Sequence, residues 1–391
     1  MTPTERTAFT PMRVIRTLAA LTAALTLAVA AAGCGDDETS GSTDTGAAAS
    51  GEKTKVGFIY VGPKDDFGYN QAAFEGSEAA AAELGNIELL QAESVPEDAG
   101  VERVMERMIS QGAKVLFPTS YGYLKYAEAV AAKHPDVVVV HQGGLESKPG
   151  APNFGTYFGT VYEPVYLAGI AAGKATKTNK LGYIVAFPIP QTLANVNAFE
   201  LGAKSVNPKA TTTVVFTASW CDPGKQAQAA TALISQKVDV LTQHQDCTKT
   251  IIETAERAGV SSVGYHYDAS SLAPKGWLTG SEWNWGPMYT DIITTALEGK
   301  FEGSPYDGDY RVGLQTGDNP FVQSPFGPGV DDATKAEIET AKAKLADTGI
   351  FTGPLKDQSG KEVVPAGKTL TYDEVEQMNF LVEGVVGNIP K

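Results

Sequence analysis

Aromatic, amide and carboxylate side chains recur in this chain at one kind of place, directly after short aliphatic runs. After Val56–Val61 come Asp65, Asp66, Phe67, Gly68, Tyr69 and Asn70. Ser120, Tyr121 and Tyr123 follow Lys114–Pro118, and His141 and Gln142 follow Val137–Val140. Later runs exit into Trp220-Cys221-Asp222, Gln243-His244-Gln245-Asp246 and His266-Tyr267-Asp268. Flat faces, amides and carboxylates with few basic groups suit a flat, neutral, hydrogen-bonding ligand better than a phosphate or a sugar acid.

Catalysis is the competing chemistry. Asp65, Asp66, Asp246 and Asp268 could be paired on paper with His244 and His266 for acid–base work. No G-x-S-x-G elbow, phosphate loop or dinucleotide fingerprint occurs in the sequence. A nucleoside hydrolase would want a carboxylate cluster for calcium, and Asp65-Asp66 is too thin for one. Four histidines and three cysteines, with no C-x-x-C and no H-E-x-x-H, offer little to zinc. The reading is a binding protein with no cofactor and no metal.

The elements that position these residues alternate strand and helix. Strands are expected at 56–61, 87–91, 114–118 and 137–140, with helices over 69–84, 99–111 and 121–133 between them. A second series places strands at 182–187, 213–218, 238–242 and 262–265, with helices over 192–206, 223–236 and 248–258. Such alternation implies parallel sheets covered by helices on both faces, and two series imply two α/β lobes. Ligands of open α/β sheets bind beyond the carboxyl ends of the strands, where the unusual residues collect. Two facing edges would form a cleft.

Composition agrees. The chain has 391 residues, 42% hydrophobic and 20% charged, as expected for a globular protein of two to three domains. A net charge of -15 argues against binding nucleic acid through its phosphates.

The first 33 residues read as a secretory signal: Arg6, Arg13 and Arg16, an apolar run over 18–32, then small residues before Cys34. That junction is similar to a bacterial lipobox, with Ala31 where Leu is preferred, and makes Cys34 the lipid-carrying first residue of the mature chain. An ordinary signal with an incidental cysteine is the alternative. Residues 34–54 hold nothing apolar larger than Ala after Cys34 and read as a tether from the membrane. Cys221 and Cys247 then remain, after neighbouring strands of an exported chain. A disulfide between them is the reading, with two free thiols as the alternative.

From Lys55 to about Phe326 the sequence resembles the basic-membrane-protein family of ABC transporter solute-binding lipoproteins, which includes purine nucleoside receptors. The carrying motifs are VGFIYVGPKDDFGYNQAAFEG at 56–76, PTSYGY at 118–123, SWCDPGKQAQAATALI at 219–234, DVLTQHQDC at 239–247 and WNWGPMY at 283–289. The resemblance implies a type I periplasmic-binding-protein fold whose lobes, each a parallel sheet flanked by helices, are joined by three crossings. The N-terminal lobe is expected over 55–160 plus about 284–310, and the C-terminal lobe over 161–283 plus about 311–391. It also implies capture of a purine for an ABC permease, at the outer side of a bacterial membrane. Tyr69 and Trp220 fall at stacking positions, Asn70 at a base hydrogen-bonding position, and Ser120 and Tyr121 in a segment that lines the pocket. Asp246 and Asp268 are candidate acceptors.

Two departures favour a bare base. The family's ribose-binding Asp aligns with His266, and its ribose-binding Lys falls near Trp283. Adenine is the first expectation; guanine, hypoxanthine and a nucleoside are alternatives, as is a sensor that signals to a membrane partner. Plainer readings stand beside these. Asp222 would cap the helix that starts at Pro223, Asp65-Asp66 would mark a turn, and Asn70 would cap its helix. Trp220 and His244 could be core, Tyr123, His266 and Tyr267 cleft wall, and Trp283 and Trp285 packing at a crossing. A solvated helix over 331–346 and a polar hairpin or loop over 357–366 carry no functional reading.

Overall fold

The computed structural model describes residues 52–143, 150–314 and 320–390. The signal, Cys34 and nearly all of the tether lie outside these residues.

Strands β1 (Thr54–Tyr60), β2 (Ile87–Ala92), β3 (Ala113–Thr119), β4 (Val138–Gln142) and β5 (Phe154–Gly159) alternate with helices α1 (Tyr69–Leu84), α2 (Gly100–Ser110) and α3 (Leu124–Lys133). Helix α4 (Tyr162–Ala175) opens the second series. There β6 (Lys180–Val185), β7 (Thr211–Phe216), β8 (Val240–His244), β9 (Ser261–Val263) and β10 (Trp277–Thr279) are interleaved with α5 (Pro190–Val206), α6 (Pro223–Ser235) and α7 (Lys249–Ala258). The chain continues through β11 (Ser281–Trp283), α8 (Gly286–Leu297), β12 (Asp309–Val312), β13 (Phe321–Gln323) and α9 (Asp332–Thr348). It ends with β14 (Leu355–Lys356), β15 (Glu362–Val364), α10 (Tyr372–Val375) and β16 (Val385–Val386).

Two six-stranded parallel sheets result, ordered β12-β5-β4-β3-β1-β2 and β10-β9-β8-β6-β7-β16. Their inner strands β1, β3, β4, β5, β6 and β8 are mostly buried, because helices cover both faces. A late strand completes each sheet, so the chain passes between them after β5, β10 and β12. The short antiparallel pair β11–β13 lies at these passages and sets Trp283 opposite Phe321.

Helices α4 and α5 pack closely enough that glycine is required between them. A Cβ on Gly169 would lie 2.3 Å from the Phe199 carbonyl, and one on Gly202 would lie 2.1 Å from the Tyr166 carbonyl. Helix α1 starts where Asp66 turns the chain. Its carboxylate accepts the backbone N–H groups of Gly68, Asn70 and Gln71 at 2.9, 3.1 and 3.0 Å. This is the turn role expected of Asp66, and it displaces Asn70 from the capping role. Asp222 caps α6 in the same manner, accepting from the Lys225 N–H at 3.0 Å, with Pro223 in the first turn.

Candidate functional site

The carboxyl ends of the two sheets meet around one slot. It is narrow, with only ≈ 20 Å³ of free volume. Its walls therefore stand close together. The first sheet contributes Tyr69, Ser120, Tyr121, Gly143 and Phe158; the second contributes Gln191, Trp220, His244, Asp246 and His266. Each follows or ends a parallel strand, so the topology gathers residues that are far apart in sequence.

Five of the eight residues expected to bind ligand line this slot, Tyr69, Ser120, Tyr121, Trp220 and Asp246, together with His244 and His266. Tyr69 and Trp220 come from opposite sheets. Asn70 is fully buried beside the slot, and its amide is engaged within the protein. Its Oδ1 accepts from the Gly62 N–H at 3.0 Å, and its Nδ2 donates to Asp66 at 2.7 Å. Asn70 also supports the Asp246 carboxyl. It is a positioning residue here, not a wall of the slot.

Asp268 and Trp283 do not line the slot either. The Asp268 carboxylate accepts the Ser270 N–H at 2.9 Å and shapes a turn. Trp283 stacks on Trp285 with ring centroids 4.2 Å apart and packs on Phe321 at 4.1 Å. Its indole N–H donates to Nδ1 of His266 at 2.8 Å, so it reaches the site only through that ring. Trp283 thus packs at the crossing between the lobes. Tyr123 is fully buried, with its hydroxyl on the Val95 carbonyl.

Phe158 and Gln191 went unnoticed in the sequence. Phe158 lies in the Gly-rich, fully buried β5, which has no alternation to reveal it. Gln191 follows Pro190 at the start of α5, where an amide reads as an ordinary first-turn residue.

Glu97 also went unnoticed. Its carboxylate accepts the Ser120 hydroxyl at 2.6 Å, the Gly122 N–H at 2.7 Å and, across the cleft, the Trp220 indole N–H at 3.3 Å. Further bonds join the same two lobes. The Tyr69 N–H donates to the Asp246 carbonyl at 3.1 Å, and the Thr248 hydroxyl donates to the Phe67 carbonyl at 2.7 Å. A Cβ on Gly68 would lie 1.6 Å from the Asp246 carbonyl, so only glycine allows this approach. The lobes are closed on the slot.

Electrostatics in the slot follow from burial. Asp246 is pushed well above the usual carboxylate range, first by burial and then by the carboxylates of Asp66 and Glu97. A neutral carboxyl there carries both an O–H donor and an acceptor. His244 and His266 are both shifted down by burial and are neutral rings. Cys221 and Cys247 are joined in a disulfide with Cα atoms 5.2 Å apart, directly beside Trp220 and Asp246. Among the described residues no group of three His, Cys, Asp or Glu could hold a metal, and no helix is long and apolar enough to cross a membrane.

The family model for PnrA-like ABC transporter substrate-binding proteins matches residues 53–342. The chain belongs to that family. A PnrA-like protein is a solute-binding protein rather than an enzyme. Among its relatives, the chain is 37% identical to a purine-binding protein of Brucella abortus (strain 2308), over 88% of this chain and 97% of that one. It is 31% identical to a protein of Haloferax volcanii provisionally named an ABC transporter glucose-binding protein, over 91% and 85%. The fold is that of a solute-binding protein from Aeropyrum pernix K1, with a TM-score of 0.65 at 17% identity, covering 83% of this chain and 96% of that one. The two-lobed periplasmic-binding architecture of this PnrA-like chain is thereby established.

Proposed function

We propose that this protein captures a purine nucleobase, adenine first, between its two lobes and delivers it to an ABC transporter permease from the outer side of the membrane. The observation that carries the proposal is the pairing of Tyr69 and Trp220, from opposite sheets, on one narrow slot with Asp246, His244 and His266. Stacking a base on an aromatic side chain is worth about 1–3 kcal/mol per ring. A carboxyl that both donates and accepts matches the adjacent N–H and ring nitrogen of a purine edge. The purine-binding relative supports the same ligand class.

A bare base fits better than a nucleoside. Among the described residues no Lys or Arg lines the slot, and the Trp283 indole N–H is already committed to His266. A buried ribose would leave hydroxyls unpaired, at about 1–3 kcal/mol each. Anchoring follows the sequence reading, in which Cys34 carries lipid and residues 34–54 form the tether. Because both lobes contribute to the slot, ligand would favour the closed form by hinge motion.

Calorimetric titration with adenine, guanine, hypoxanthine, adenosine and glucose tests the reading. Adenine is expected to bind about tenfold or more tighter than adenosine. Equal affinity would contradict the base-only reading, and binding of glucose without any purine would contradict the ligand class.

A further inference from the structure

We propose that His266 is a fixed N–H donor that selects ligands presenting an unprotonated acceptor to it, and that Trp283 is the positioning residue that fixes it. The selection half of this inference rests on the purine reading above; the donor half stands on the protein alone.

An indole N–H can only donate. The Trp283 Nε1 lies 2.8 Å from His266 Nδ1, so that ring nitrogen must present its lone pair. The one proton of the neutral imidazole is then on Nε2. Burial of the ring, with His244 nearby, opposes a second proton.

The donor of this bond is held firmly. Trp283 lies between Trp285, Phe321 and Phe158, the last with its centroid 4.7 Å away. The same two residues are also tied through the backbone, where the Trp283 N–H donates to the His266 carbonyl at 3.2 Å. His266 has φ of 73°, in the left-handed region that non-glycine residues seldom adopt. Strain of this kind persists where surrounding structure over-determines a residue, and it clusters at ligand clamps. The ring packs against Tyr265 at 3.9 Å and Tyr69 at 5.0 Å while lining the slot.

A locked N–H in a narrow site discriminates by chemistry. A carbonyl oxygen or bare ring nitrogen accepts from it; an N–H or C–H at the same place leaves it buried and unpaired. Adenine offers such acceptors at N1, N3 and N7, so a deazaadenine that replaces the facing nitrogen by C–H is the direct probe.

The protein holds four histidines, so a ¹⁵N-histidine-labelled sample gives an assignable tautomer spectrum. We expect a neutral Nε2–H pattern for His266 without ligand, and a Trp283→Phe variant that keeps an aromatic ring should lose that uniform pattern. In titrations with adenine and 1-, 3- and 7-deazaadenine, at least one analogue should bind roughly tenfold to a hundredfold weaker than adenine in the parent protein. That penalty should shrink several-fold in Trp283→Phe. An Nδ1–H or doubly protonated ring at neutral pH would overturn the inference, as would a penalty unchanged by Trp283→Phe. If no purine binds, the functional reading fails, and the spectrum still decides the donor: Nε2–H upholds it and Nδ1–H refutes it.

Discussion

Glu97 ties the two halves of the site at one carboxylate. It is held by Ser120 and Gly122 on its own lobe and meets the indole of Trp220 from the other. A Cβ on Gly122 would lie 2.5 Å from the Glu97 carboxyl carbon, so a larger residue there would push this carboxylate aside. Replacing Glu97 by Ala should free the Trp220 ring and remove an inter-lobe bond. Affinity for adenine is expected to fall about 10- to 150-fold, mainly through faster release, since hydrogen bonds to charged groups contribute about 1.5–3 kcal/mol. Stopped-flow release kinetics check this, and an unchanged off-rate would count against the link. The sequence made Tyr69, Trp220 and Asp246 visible because they stand at strand exits, where an aromatic or a carboxylate is conspicuous. Glu97 lies in the acidic turn Pro96-Glu97-Asp98, which reads as solvated surface until the fold brings Trp220 to it. Trp283 is conspicuous for its type, and its ring packs at the crossing while its indole N–H meets His266.

At the scale of elements, β7 and β8 are not direct neighbours, since β6 lies between β8 and β7. The disulfide nevertheless joins the segments that leave them, and the Asp246 N–H donates to the Trp220 carbonyl at 2.9 Å. Reducing this bond, or replacing both cysteines by Ser, should leave a folded protein that binds adenine more weakly, because Trp220 and Asp246 lose their common tie. The cross-link closes a loop with a sequence separation of 26 residues, worth on the order of 3 kcal/mol in the chain-entropy model. Calorimetry and thermal melting with and without a phosphine reductant check both effects; unchanged binding would contradict the first.

A second element-level prediction concerns α5, where Glu200 is fully buried, accepts the Thr212 hydroxyl of β7 at 2.7 Å and lies beside the C-terminal segment at Gly384. Burial pushes Glu200 up to about 7 from 4.5, so the folded state holds a proton that the unfolded state has released. Its contribution to stability is therefore greatest below about pH 4.5 and declines as pH rises towards 7. The melting temperature of the parent should fall relative to that of Glu200→Gln across this window, and a relative rise would contradict the assignment. Helix α4 shows why some elements stayed unread: ten of its fourteen residues are buried, so no polar face marks its period. Strand β16 is two residues long and carries no pattern at all.

The whole molecule is two parallel sheets closed on a slot, and closure is visible in the bonds that cross it. The alternation of strands and helices was legible because each βα unit is local, with its own aliphatic run and amphipathic helix. The late strands were not, since β12 joins the first sheet only after the chain has built the second. That return places Trp283, Trp285 and Phe321 between the lobes, where they support His266 from behind. A purine ring is expected between Tyr69 and Trp220 in this closed form. A crystal structure of the protein grown with adenine is the decisive measurement. The ring should lie between those two side chains, with hydrogen bonds to Asp246 and His266. Adenine bound elsewhere, or a slot that holds a ligand touching neither aromatic ring, would contradict it.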